Sequence, residues 1–124
     1  MKFKVRILTI FLIGLFSIQP TISFGDDSLE TVQLTLVITS ADEINLTAVK
    51  QVEMGINSFE AIGQLVVMEA KETDWGPQIK SLGGVEAIGN TYWALYVNGS
   101  MSMVGAKDVI LLTDTFIRLN LEAF

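Results

Sequence analysis

The stretch Thr31-Val32-Gln33-Leu34-Thr35-Leu36-Val37-Ile38-Thr39 decides the fold. Val32, Leu34, Leu36 and Ile38 alternate with Thr31, Gln33, Thr35 and Thr39. With its β-branched content, that period of two predicts a half-buried strand. Ser40-Ala41-Asp42-Glu43 supplies a turn, and a second, less regular strand from about Ile44 to Met54 is closed by Gly55, so the two form a hairpin. Asn57-Ser58-Phe59-Glu60 reads as a helix start: Asn57 caps the free N–H groups of the first turn and Glu60 can reach back to it. Phe59, Ile62, Leu65 and Val66 fall at helical spacing, which gives a short helix one apolar face to lay on a sheet. Leu65 to Lys71 fits either a helix end or a new strand, with a strand starting near Val67 preferred.

Downstream the pattern is β throughout. After the polar loop Glu72-Thr73-Asp74, Trp75 to Gly84 reads as a turn, a short strand through Ile79 and Leu82, and a glycine turn. Thr91 to Val97 is the next strand, and Asn98-Gly99 after it is a strong hairpin signal because both residues tolerate the positive φ of a type I′ turn. Met101 and Met103 alternate in the returning strand, and Gly105 to Asp108 turns the chain again. In the last strand Phe116, Arg118 and Asn120 alternate against Ile117, Leu119 and Leu121. Strand, strand, helix and several strands make an α+β domain with one short helix packed on a mixed sheet.

The N-terminus reads differently. Lys2, Lys4 and Arg6 precede the apolar run from Ile7 to Phe16, and Ser23-Phe24-Gly25 places small residues where a signal peptidase cuts. The run is shorter than the about 20 apolar residues a bilayer requires. Residues 1–25 are therefore expected to be a signal peptide and residues 26–124 a single secreted domain, extracellular or, in a bacterium, periplasmic or on the cell surface. Cleavage removes three of the eight basic residues and none of the fourteen acidic ones, leaving five against fourteen and a net charge of −9. A net anion is repelled by nucleic acid and by anionic membranes, so neither is an expected partner.

The sequence has no Cys and no His. A Ser-His triad, a thiolate nucleophile and a zinc site built on imidazole or thiolate are excluded, and the expectation is that the protein is not an enzyme. Phosphate-loop and dinucleotide spacings are absent. The acidic pairs Asp26-Asp27, Asp42-Glu43 and Glu72/Asp74 fit no metal loop and read as solvated surface. Asn45-Leu46-Thr47 and Asn98-Gly99-Ser100 match the glycosylation acceptor pattern, although the turn explains Asn98 better. In the aromatic strand, Trp93, Leu95 and Val97 share one face and Tyr92, Ala94 and Tyr96 the other. Either Trp93 is core and the tyrosines are surface pairs, or the aromatics, with Trp75 nearby, form a rigid platform for a flat ligand or a protein. Periodicity leaves both open.

Trp75-Gly76-Pro77, Ile79, Ser81-Leu82-x-Gly84 and Tyr92-Trp93, followed by Asn98-Gly99 and Val104-Gly105-Ala106, resemble in order and spacing the C-terminal β-domain of the vitamin B12 carriers transcobalamin and intrinsic factor, and the wider DUF4430 set. The resemblance runs from about Val32 to the end. It implies a β-grasp-like fold and a module covering one side of a corrin, with cobalamin as ligand and no covalently held cofactor. It implies that Trp75, Gly76, Pro77, Ile79, Trp93 and Leu95 line the ligand-facing side. The carriers place Gln where this sequence has Ala94. They also have a helical barrel upstream, which here is expected to be a separate carrier protein. The rival expectation is an extracellular interaction domain that keeps the fold without the vitamin and meets a partner protein or a second copy of itself.

Overall fold

The computed structural model describes residues 30–124; the expected signal peptide, residues 1–25, and the Asp26-Asp27 pair lie outside them. Strand β1 (Thr31–Ser40) buries Val32, Leu34, Leu36 and Ile38, the set its alternation predicts. It pairs antiparallel with β2 (Ile44–Glu53), from Ser40 opposite Ile44 to Thr31 opposite Glu53. The helix α1 (Ser58–Leu65) follows, its Asn57 side chain accepting from the Glu60 N–H at 2.9 Å. Ala61 and Ile62 are fully buried against the sheet. Ser58, also fully buried, donates its hydroxyl to the carbonyl of Ala106 and so ties the helix start to a 3-10 turn at Ala106–Asp108.

The second half supplies two sheets where the sequence suggests one. The larger carries β6 (Thr91–Val97), β7 (Ser100–Met101) and β8 (Thr115–Ala123) beside the first hairpin, in the order β2-β1-β8-β6-β7. β8 lies parallel to β1, with Leu34 opposite Thr115 and Ile38 opposite Leu119, while β6 runs antiparallel to β8. First and last strands side by side under one helix are the β-grasp arrangement. The smaller sheet is β3 (Met68–Thr73), β4 (Gly76–Leu82) and β5 (Val85–Glu86), in that order. It joins the same core through Leu82 and Val85.

Two local differences from the sequence reading have physical causes. Glu72 and Thr73 belong to β3 rather than to a loop, because the turn is only Asp74-Trp75; Thr73 Oγ1 accepts from the Trp75 N–H at 3.1 Å and donates to the Gly76 carbonyl at 2.6 Å. β7 ends at Met101, so Met103 is not in the returning strand and is 95% exposed. The Ser102 hydroxyl bends the chain there, donating to the Val104 carbonyl at 2.7 Å and accepting from its N–H at 3.2 Å. The Asn98-Gly99 turn is as expected, with φ of 52° and 92°, and Asn98 Oδ1 also accepts from the Phe116 N–H at 2.9 Å. At the glycine turn after β4, Gly83 has φ of 58°, a backbone conformation that favours glycine, and a Cβ there would sit 2.8 Å from Ile44 Cδ1 and displace the end of that side chain.

Leu36→Ala, in the fully buried β1 stripe, is expected to cost about 3 kcal/mol in denaturant unfolding, and Val49→Ala on the exposed edge about 0.5 kcal/mol or less. Equal costs would contradict the assigned register.

Candidate functional site

The two sheets leave a cleft between the start of β4, the edge of β6 and the loop from Met101 to Ala106, with a volume of about 430 Å³. Trp75, Gly76, Pro77, Ile79, Trp93 and Leu95 all line it. Residues widely separated in sequence are brought there by two devices. The tight turn at Asp74-Trp75 puts Trp75 at the tip of the β3–β4 hairpin, 92% exposed. The pairing of β6 with β8 sets Trp93 opposite Leu121 and Leu95 opposite Leu119, on the face that meets the core.

The two tryptophans therefore have different roles. Trp93 is 7% exposed and packs in the core, which decides one of the open readings. Its Nε1–H is buried without a hydrogen-bond partner among the described residues, and a donor left so costs about 1–3 kcal/mol. Trp75 touches mostly solvent and forms one lip of the cleft; Met101 and Val104, both largely exposed, form the other. None of the residues lining the cleft is Asp, Glu, Lys or Arg. The sequence reading did not include Tyr92, Gln78, Met101, Ser102 or the Val104–Ala106 wall among the site residues. The Val104-Gly105-Ala106 turn was nonetheless part of the motif set, and its place in the motif was the available signal.

The opposite face of β6 is polar and tied together. Tyr96 Oη donates to Glu122 Oε2 at 2.7 Å, Asn120 Nδ2 donates to the same oxygen at 3.1 Å, and Thr39 Oγ1 donates to Asn120 Oδ1 at 2.6 Å. The Arg118 guanidinium lies 5.7 Å from the Tyr96 ring centre, and Tyr92 meets Phe124 edge to face at 5.5 Å. Ala94, 2% exposed, falls on this face by alternation, opposite Asn120. The network is internally satisfied and acts as a clamp across β1, β8 and β6. Among the described residues no group of three or more His, Cys, Asp or Glu could hold a metal ion, and no helix is long and apolar enough to cross a membrane.

A family model described as a domain of unknown function, DUF4430, matches residues 59–123, and the chain belongs to that family. Its structure is similar to that of haptocorrin, a protein of the transcobalamin family solved in complex with Cbi, at 16% identity and a TM-score of 0.68. That match covers 79% of this chain and 26% of haptocorrin, so the chain spans about a quarter of that protein's length. A candidate metal-binding protein from Ruminococcus gnavus ATCC 29149 is similar at 13% identity and a TM-score of 0.66, covering 75% of this chain and 98% of that one. No curated protein sequence matches the chain. The fold is thus that of a transcobalamin-like C-terminal domain.

The Tyr96–Glu122 pair has a pH signature. Its hydrogen bond to Glu122 is the main cause holding the Tyr96 phenol above its ordinary 10.0, with burial and the carboxylate's charge adding to it. The same bond, then that from Asn120, holds Glu122 below its ordinary 4.5. A lowered carboxylate contributes stability that is present above the ordinary value and lost as pH falls through the folded pKa. A raised phenol contributes stability present below 10.0 and lost as pH rises through the folded pKa. Tyr96→Phe is expected to lower Tm near neutral pH and to flatten both limbs of the Tm–pH profile. A profile with both limbs unchanged would count against the clamp.

Proposed function

We propose that the protein is a secreted, non-catalytic binding module that takes one side of a corrinoid in the cleft between its two sheets. Residues 1–25 would be the signal peptide and residues 26–124 the mature domain. The supporting observation is the convergence of Trp75, Gly76, Pro77, Ile79, Trp93 and Leu95 on one uncharged cleft. These are the positions the vitamin-carrier motif supplies, and the fold is shared with haptocorrin, which was solved with Cbi.

The chemistry of the lining suits such a ligand. A corrin is large, flat and apolar at its edge, with neutral amides around it. Trp75 offers a broad exposed indole to one surface of the ring, and Ile79 and Leu95 give the floor apolar contact. Trp93 stiffens that floor from beneath, and Gly76 lets the backbone come close where a Cβ would meet nothing. Pocket ligands usually need about 70–90% of their surface covered. One open cleft covers one side, so the other side falls to another domain or to a separate helical-barrel protein, and the isolated chain binds weakly.

Cyanocobalamin added to the protein is expected to quench fluorescence saturably, since the only two tryptophans both line the cleft. Trp75→Ala, a change at an exposed tip that leaves the core alone, is expected to weaken binding ~30-fold, the loss of one hot-spot contact. Absence of saturable quenching up to millimolar vitamin would overturn the proposal for this chain.

A further inference from the structure

β6 is paired along one side and largely open along the other. Tyr92, Ala94 and Tyr96 stand opposite Glu122, Asn120 and Arg118 of β8, and Asn98 N–H continues that ladder by donating to the Phe116 carbonyl at 2.7 Å. Even-numbered residues therefore spend their main-chain groups on β8. Odd-numbered residues turn theirs to the other side, because N–H and C=O of one residue point the same way in an antiparallel ladder. There Val97 pairs with Ser100, and the Leu95 carbonyl accepts from Ser102 N–H at 2.8 Å. The chain then bends away at Ser102–Val104. Among the described residues no strand pairs with Trp93 on that side, so its N–H and C=O, and the N–H of Leu95, face the cleft without a backbone partner.

The facing wall is also a strand edge. β5 pairs only with Ser81 and Leu82 of β4, which leaves Gly76 to Ile79 without a neighbour on that side, and Pro77 has no N–H to satisfy. An open lane thus runs beside β6, in line with the strand that β7 begins and does not continue. Its floor is apolar at Trp93, Leu95 and Ile79, its lips are the exposed side chains of Trp75 and Val104, and it contains no charged side chain.

We infer that this lane binds an extended, uncharged peptide segment, which adds to β6 as a short strand antiparallel to it. The peptide donates to and accepts from Trp93 and accepts nothing from Pro77, which has no N–H to give. Because successive side chains of a strand point to opposite faces, every second residue of the peptide is apolar and drops beside Trp93 and Ile79, while the alternate ones lie toward Tyr92 and Ala94 and are small or polar. An acidic segment is excluded by the net negative chain, and a basic one finds no counter-charge in the lane. This mode of recognition uses the cleft of the corrinoid reading but does not depend on it; the two ligands would compete.

Amide NMR of the protein tests it. The probe is an acetylated and amidated heptapeptide alternating threonine and valine, and the control is the same peptide N-methylated at alternate residues so that one edge cannot pair. The first peptide is expected to shift the Trp93 and Leu95 amides saturably and to slow their hydrogen exchange about tenfold, and the control to do neither. No change at these two amides at millimolar peptide, or an equal response to the control, overturns the inference. Trp93 and Leu95 amides already protected in a dimer of the free protein, seen by light scattering, would give the lane to a second copy and also overturn it. Cyanocobalamin in a parallel sample separates the two proposals: binding of vitamin without peptide sinks this one alone, and binding of peptide without vitamin sinks the corrinoid reading alone.

Discussion

Everything else in the structure hangs on the parallel pairing of the first strand with the last. Leu34, Leu36 and Ile38 of β1 stand beside Thr115, Ile117 and Leu119 of β8, and all six are buried. This ladder joins segments about 80 residues apart, as does the Gln33 N–H donated to Asp114 Oδ1 at 2.8 Å, across a separation of 81 positions. Contacts of such sequence separation are entropically costly to close and form slowly. The apolar stripe that drives them is accordingly the most regular in the chain. Once β8 is in place it presents its other edge to β6, and the position of Trp93 follows from register alone.

The second sheet depends on that core without extending it. β3 and β4 form a hairpin that reaches the core through Leu82 and then stands out from it, carrying Trp75 at its tip. A cleft between two sheets that share a core but no hydrogen-bonded strand pair is the natural result. One wall is rigid because the clamp of Tyr96, Glu122, Asn120 and Thr39 holds β6 from behind. The other wall is a hairpin whose outer strand is mostly exposed. The same β6 thus serves two purposes, a satisfied polar face on one side and an unsatisfied edge on the other.

Much of this was legible in the sequence. The alternation of Val32, Leu34, Leu36 and Ile38, the Asn57 cap and the Asn98-Gly99 turn each have a local cause, so local reading found them. The second sheet was harder to see. Met-Glu-Ala-Lys-Glu-Thr at β3 has low strand propensity and little alternation, because it is exposed on both faces and is held by its pairing with β4. β5 has two residues and no pattern at all. The gathering of the six candidate residues came from a motif, whereas Met101, Ser102 and Val104 entered the cleft through a bend made by one serine hydroxyl. The open edge of β6 could not be read from residue types, since it is a property of main-chain pairing.

The uncharged lining of the cleft, in a sequence without His or Cys, has a consequence for control. None of the cleft's side chains is a carboxylate, an amine or an imidazole, and no thiol is present to report the redox state of the surroundings. The lining itself therefore supplies no imidazole or thiol switch for releasing an occupant. On the proposed reading, occupancy would follow the free concentration of the occupant and the competition of other binders. Any directed hand-over would have to be driven by a tighter acceptor.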